Sequence, residues 1–269
     1  MSLISSTKTF VRTHLPKPVW EAVKVYGLGL LEMGQPSLQM YIAEHGVRSF
    51  VGMNNYFSTL AADIANEAVV ELVFHAADGA PLFTHRTRLV HFGSQALDVT
   101  ALLRARGLDS PRGIVTVRMV PQRRRIPRYQ ELGLLLSQFF MFYRDEQHGS
   151  IAQIHPSSQI DTAATPSPPF LSSQIVATHG LDAVVLYQCN PSSRAHRMTL
   201  ALLDASSRTS VVESVIDVPA LGVRRVELAV PAAARPPAIL VHASSLPSGN
   251  SKPMLQRRFS DGRFSMSHA

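Results

Sequence analysis

Short runs of apolar residues alternate with polar positions along most of this chain, and their order occurs twice. The run at residues 70–74 is followed by Asp78 and Gly79, and a similar run at residues 198–202 is followed by Asp204. Alternation over four to eight residues is typical of a strand with one buried face, and an Asp-Gly pair between two such runs is typical of a hairpin turn. The repeated order predicts two copies of one sheet-forming unit.

Seven strands are predicted in each copy. In the first they lie at residues 48–58, 68–75, 82–91, 95–99, 113–120, 137–144 and 149–155, and in the second at 182–189, 197–203, 209–217, 223–230, 237–244, 254–259 and 262–268. Seven short strands in roughly 100 residues resemble an immunoglobulin-like sandwich. We therefore predict an all-β fold of two tandem immunoglobulin-like β-sandwich domains that arose from an internal duplication.

The division of the chain follows from this repeat and from a stretch rich in Pro and Ser between the copies. We predict a helical N-terminal segment at residues 1–47, a first sandwich at 48–156, a linker at 157–174 and a second sandwich at 175–269. Within the N-terminal segment, apolar residues at helical spacing predict an amphipathic helix over residues 19–33. A second short helix is predicted over residues 38–44, ending before Gly46.

Composition and charge narrow the function classes. The chain has 269 residues, of which 45% are hydrophobic and 17% charged, and its net charge of +7 comes from a few arginine clusters. Those clusters lack the interleaved aromatic residues of a single-strand platform, so nucleic acid is not an expected partner. The absence of phosphate-binding glycine loops and of a GxSxG motif argues against nucleotide and hydrolase chemistry.

One cysteine, Cys189, excludes an intramolecular disulfide and fits a reducing compartment. The chain has neither a secretory signal pattern nor a run of 18 apolar residues. We expect a protein that is cytoplasmic or peripheral to the inner membrane.

Amide, aromatic and arginine side chains near strand ends are the candidate ligand contacts. Amides and rings at such places can bind sugar hydroxyls, and arginines in an inserted loop can bind anions. The candidates are Asn54, Asn55, Tyr56, Arg124, Arg128, Tyr143, Arg144 and Asn190. An Asn before a turn is equally a turn-forming residue. We expect a non-catalytic binding or assembly module for an anionic or carbohydrate ligand, at or near a groove between the sandwiches, in a bacterial polysaccharide setting.

A metal-dependent enzyme is the first alternative. His155 and His268 end the closing strands of the two copies, and Asp145 and His148 lie in the turn before one of them. Histidine and carboxylate are suitable ligands for zinc or iron, so these four residues are a candidate metal site. A histidine that ends a strand can also simply bond to a neighbouring loop. Whether the protein is an enzyme stays open at this level.

A peripheral membrane protein is the second alternative. Residues 19–31 carry Trp20, Val23 and Leu30 at helical spacing, and such a helix can lie in a membrane surface. Packing of the same helix on the first sandwich is the simpler interpretation. Open sandwich edges also make a homodimer an expected form of association.

Overall fold

The structure of this chain is a computed structural model. Apart from the single positions Pro16 and Val19, it describes residues 36–60, 65–122, 139–158, 169–230, 236–248 and 251–268. Strands account for 62% of the structure and form four antiparallel sheets, with very little helix. The all-β prediction is confirmed. Among the described residues, no helix is both long enough and apolar enough to cross a membrane.

The described part of the first half forms nine strands and two short helices. The strands are β1 Ser37–Ile42, β2 Val47–Asn54, β3 Ala68–Ala76, β4 Pro81–Leu89, β5 Ser94–Asp98, β6 Arg112–Pro121, β7 Phe139–Asp145, β8 Ile151–Ile154 and β9 Ser157–Ser158. Helix α1 (Tyr56–Leu60) follows β2, and α2 (Val99–Arg104) follows β5. Sheet I has the strand order β4-β3-β6-β1-β9, and sheet II has the order β5-β2-β7-β8.

The described part of the second half forms eight strands. They are β10 Phe170–Ala177, β11 Leu181–Cys189, β12 His196–Asp204, β13 Ser210–Val218, β14 Val223–Ala229, β15 Ala238–Leu246, β16 Met254–Phe259 and β17 Phe264–His268. Sheet III has the order β10-β15-β12-β13, and sheet IV has the order β14-β11-β16-β17.

The two halves pair their strands in the same way. If β10 to β17 are taken as counterparts of β1 to β8, the pairs β1–β6, β6–β3 and β3–β4 of sheet I recur in sheet III as β10–β15, β15–β12 and β12–β13. The pairs β5–β2, β2–β7 and β7–β8 of sheet II likewise recur in sheet IV. Each of the strands β1 to β8 therefore has a counterpart in the second half, while β9 has none, and the register gives counterparts residue by residue.

Each half buries an apolar layer between its two sheets. In the first half the inward residues include Val70, Leu72 and Phe74 of β3, all with no exposed surface, and the second half has Leu186 and Leu200 in this role. Burying one such side chain contributes roughly 1.5 to 3 kcal/mol. The alternation of these residues with more exposed ones along β3 is the reason that the strand forms with one face inward.

The outer face of sheet IV packs against the first half. Its apolar residues belong to the same buried cluster as the core of the first half, namely Val185, Tyr187, Cys189, Val223 and Met254. The backbone N–H of Val223 donates to the carbonyl of Ala77 at 2.9 Å. The face of sheet IV that points away from its own sandwich is thus an interface between the halves.

Each of the fourteen predicted strands corresponds to a strand of the structure, although residues 56–58 of the first one belong to helix α1. The prediction for residues 38–44 was wrong. These residues belong largely to β1, not to a helix. Leu, Gln and Met are good helix formers, yet pairing with β6 on one side and β9 on the other buries every residue of β1. Long-range pairing overrides local propensity here.

The same kind of pairing extends the second half towards the N-terminus. Strand β10 begins at Phe170, within the segment predicted as a linker, and pairs with β15. The predicted helix over residues 19–33, with Trp20, Val23 and Leu30, lies outside the described residues except for Val19.

Candidate functional site

Asn55 directly follows β2 and is a buried structural side chain. Its Nδ2 donates to three carbonyl oxygens, those of Asn66 at 2.8 Å, Leu89 at 3.3 Å and Val90 at 2.9 Å. Only 3% of its surface is exposed. The side chain connects the end of β2 to the turn that follows β4, and it does not face a ligand.

Asn190 directly follows β11, the counterpart of β2, and has the same role. Its Nδ2 donates to the carbonyls of Arg194, Val218 and Pro219 at 2.7, 3.2 and 3.0 Å, and its Oδ1 accepts from the Ser192 N–H at 3.0 Å. It is completely buried. Among the interpretations that the sequence left open, the geometry of both residues favours the turn-forming one.

Tyr143 and Arg144 point to opposite sides of β7. Tyr143 is buried and donates its hydroxyl to the Met40 carbonyl at 2.7 Å. Burial raises the pKa of this hydroxyl well above its usual value of 10.0. Arg144 is exposed on the outer face of sheet II, while Tyr56 is half-buried in α1. Of this group only Arg144 is placed to meet a ligand on that face.

Asp145 and His148 form a pair in the β7–β8 turn. The Asp145 carboxylate has no exposed surface and lies 2.8 Å from His148 Nδ1. It also accepts from the backbone N–H groups of Gln147 and His148 at 2.8 and 3.2 Å. Burial alone raises the pKa of Asp145, but these hydrogen bonds together outweigh burial, and the pKa lies below its usual 3.8. The pair stabilises the turn.

The lowered pKa of Asp145 predicts a pH-dependent contribution to stability. A carboxyl whose pKa is lowered by folding stabilises the protein above its unfolded pKa, here 3.8, and loses that contribution as the pH falls through the folded value. We expect Asp145→Asn to unfold at lower urea concentration than the wild type at pH 7, with the difference shrinking below 3.8. The exposed neighbour Glu146 supplies the control, because Glu146→Gln should change stability little at either pH. An Asp145→Asn deficit that stays constant down to pH 3 would contradict this account.

The predicted metal site is only partly described. His155 directly follows β8, with its Nδ1 3.1 Å from the Pro156 carbonyl. His268 ends β17, which lies close to β8. Nothing is described for the His268 side chain. Among the side chains that are described, no three His, Cys, Asp or Glu residues gather in a way that could hold a metal. The zinc or iron site formed by Asp145, His148, His155 and His268 stays a prediction.

The predicted anion contacts Arg124 and Arg128 lie outside the described residues.

A groove opens on the outer face of sheet II. Its volume is about 250 Å³. Strands β2, β5 and β7 contribute its walls, which are formed by Gly52, Met53, Asn54, Ser94, Gln95, Ala96, Phe140 and Phe142. Roughly 300 to 1,000 Å³ is usual for pockets that hold drug-sized ligands, so this groove fits a smaller group. Asn54, a predicted ligand contact, is part of it.

Gly52 allows an aromatic ring to lie against the floor of the groove. A Cβ atom at this position would be 2.3 Å from Cε2 of Phe142, so any larger residue would displace the ring. Phe142 and Phe140 follow each other on the outer face of β7 and are half-buried. The absence of a side chain at Gly52 therefore creates both the groove and the position of the Phe142 ring.

Asn54 and Ser94 supply polar groups at one end of the groove. They face each other across the β2–β5 pair, and both are exposed. Neither side chain has a hydrogen-bond partner among the described residues. A facing amide and hydroxyl with unused donors and acceptors can bind a polar ligand without disturbing the fold.

Charged residues lie towards the other end of the same face. Arg48 pairs with both Asp98 and Glu146, and its guanidinium lies 5.8 Å from the centre of the Phe50 ring. The hydrogen bond that Arg48 donates to the Asp98 carboxylate raises the pKa of the guanidinium above its usual value. Arg144, the cross-strand neighbour of Arg48, has no ion-pair partner in the described chain. It is the cation on this face that remains available to an anionic group.

The counterpart of this face in the second half is covered. Asn55 and Asn190 fix the correspondence, so Gly52 corresponds to Tyr187, which pairs with Arg225 and Met254 as Gly52 pairs with Ala96 and Phe140. The Tyr187 side chain is buried against the first half. One of two equivalent faces is thus an interface, while the other keeps a groove.

Sequence reasoning identified Asn54 and Arg144 but missed Gly52, Ser94, Phe140 and Phe142. The alternation of Phe140 and Phe142 with buried residues along β7 was the available signal, because it places both rings on one face.

Comparison with protein-family models gives no match for this chain, and comparison with curated proteins gives none either.

Proposed function

We propose that this protein is a non-catalytic binding module that recognises a carbohydrate on the outer face of sheet II. The observation that carries the proposal is the groove over Gly52, where the Phe142 ring lies beside the unpartnered side chains of Asn54 and Ser94. Sugars present apolar C–H faces and a rim of hydroxyls. An aromatic ring next to an amide and a hydroxyl matches both features.

The shape and polarity of the groove favour a sugar over the alternatives. A shallow groove of about 250 Å³ on a sheet face has room for a small polar unit of a longer molecule. Arg144 adds a cation on the same face, so an acidic sugar is included among the expected ligands. The proposed binding site lies on one face of the first half, and not in the groove between the sandwiches that was expected from the sequence.

We further propose that both halves are immunoglobulin-like sandwiches derived from one duplicated unit. The support is the shared pairing scheme of β1–β8 and β10–β17, together with the matching hydrogen bonds of Asn55 and Asn190. A homodimer remains a separate proposal that the binding function does not require.

The test is binding of the full chain to an array of neutral, amino and uronic-acid oligosaccharides, followed by titration calorimetry with the strongest binder. We expect Phe142→Ala to weaken binding by about tenfold, the effect of losing one aromatic contact. The matched control is Leu171→Ala, which removes a side chain that is 59% exposed on the second half and should leave affinity unchanged. The absence of any carbohydrate binding, or equal affinity in Phe142→Ala, would refute the proposal.

A further inference from the structure

An exposed aromatic residue two positions before the groove residue Ser94 has an unusual backbone conformation. Phe92 lies in the turn between β4 and β5 with φ of 56°, and 60% of its surface is exposed. A bulky residue that is not glycine rarely adopts positive φ, because its Cβ then crowds the backbone. The ring contacts the His91 ring, with 4.4 Å between the ring centres, but most of its surface faces solvent. Such strain at an exposed residue is typical of a functional position.

The surrounding hydrogen bonds hold the turn in this conformation. The Phe92 N–H donates to Ser58 Oγ at 2.7 Å, and the Gly93 N–H donates to the Val90 carbonyl at 2.8 Å. Asn55 bonds to the same turn twice, through its N–H to Gly93 at 2.9 Å and through Nδ2 to Val90 at 2.9 Å. The Phe92 ring is therefore presented by a rigid support.

The counterpart of Phe92 is a contact residue. Leu221 precedes Gly222 as Phe92 precedes Gly93, and it too has positive φ, at 49°. Leu221 packs against the buried cluster of the first half, at the interface. In the second half, this turn therefore directs its side chain towards the surface that covers the outer face of sheet IV. In the first half, the equivalent turn adjoins the outer face of sheet II, which contains the groove.

We propose that Phe92 is a second stacking platform, so that the ligand is an oligosaccharide of two or more units; this inference rests on the proposed function. Phe92 lies two positions before Ser94 of the groove wall, at most about 7 Å along the chain. One sugar unit fits the groove beside Phe142. The next unit along the glycan meets the Phe92 ring, which adds affinity only when the chain is long enough.

The test uses the full chain on an array that carries each sugar at lengths of one to six units. We expect Phe92→Gly to weaken binding to features of two or more units by about two- to twelvefold, the range for one aromatic contact, and to leave single-sugar binding unchanged. Phe142→Ala should weaken binding at every length. Because glycine tolerates positive φ, Phe92→Gly should not lower the melting temperature. Arg208 is also exposed and has φ of 61°, so Arg208→Gly is the control: it relieves the same kind of strain and should leave binding unchanged.

The outcomes separate this inference from the proposed function. If the wild type binds and Phe142→Ala fails at every length while Phe92→Gly binds all lengths normally, only the role of Phe92 is refuted. If the wild type binds no carbohydrate, the proposed function and this inference both fall. Wild-type self-association that Phe92→Gly abolishes, seen by sedimentation, would also overturn the inference, since the turn would then be a protein contact. A lowered melting temperature in Phe92→Gly would show a structural role and count against it.

Discussion

Asn190→Asp is expected to lower the free energy of unfolding by about 3 to 5 kcal/mol at pH 7, the range for a buried charge left without a partner. Asn190 is completely buried and aims its amide at the carbonyls of Arg194, Val218 and Pro219. A carboxylate in this place would replace three hydrogen bonds by repulsion between oxygen atoms. The measurement is urea denaturation followed by circular dichroism.

The control for this change is Asn54→Asp. Asn54 is exposed and has no partner among the described side chains, so its stability change should stay within about 0.5 kcal/mol. Asn55→Asp should behave like Asn190→Asp, since Asn55 also donates to three carbonyls. A midpoint for Asn190→Asp equal to that of the wild type would show that the turn is held by other contacts.

Gly79→Ala is expected to disturb the packing between the halves. Gly79 lies in the β3–β4 turn with φ of 88°, and a Cβ there would be 1.9 Å from the carbonyl oxygen of Ala220. The backbone must therefore move at the place where the Val223 N–H meets Ala77. Positive φ costs about 1 to 2 kcal/mol for alanine, and forced overpacking adds about 1 to 3 kcal/mol.

The single cysteine reports on this interface. Cys189 is buried there, and burial raises the pKa of its thiol to about 12, which keeps it unreactive in the native packing. We expect faster labelling of Cys189 by a thiol reagent in Gly79→Ala than in the wild type. Gly262→Ala is the matched control, because it has φ of 84° with nothing within 4 Å of the added Cβ. Equal labelling rates in the two variants would mean that Gly79 does not hold the halves together.

Much of the fold followed from local patterns. Alternation along segments such as β3 and β13 depends only on which side chains face inward, so the fourteen predicted strands were found. Three strands were missed: the two-residue β9, and β1 and β10, which were missed for a different reason. Both lie next to segments rich in proline or helix formers, and each forms because a distant strand, β6 or β15, offers hydrogen bonds.

The candidate site was less accessible from the sequence. Asn54 and Asn55 are adjacent and chemically identical, yet one is exposed beside the groove while the other is buried. The difference arises because Asn55 is covered by the residues before β3 and by the turn after β4. Neither segment is adjacent to Asn55 in the chain. Gly52 and Phe142 likewise meet only because β2 pairs with β7. No local sequence pattern indicates that these two residues are in contact.

The sequence by itself determined that this chain is built from strands, where most of them lie and that their order repeats. It could do so because alternate residues along a strand lie on the same face, so the apolar pattern indicates which side chains point inward. Only the tertiary structure decided what lies on each face. The outer faces of sheets II and IV have equivalent strands, but the first has Gly52 where the second has Tyr187. Packing of the halves covers one and leaves a groove in the other, since burial depends on contacts between residues far apart in the chain.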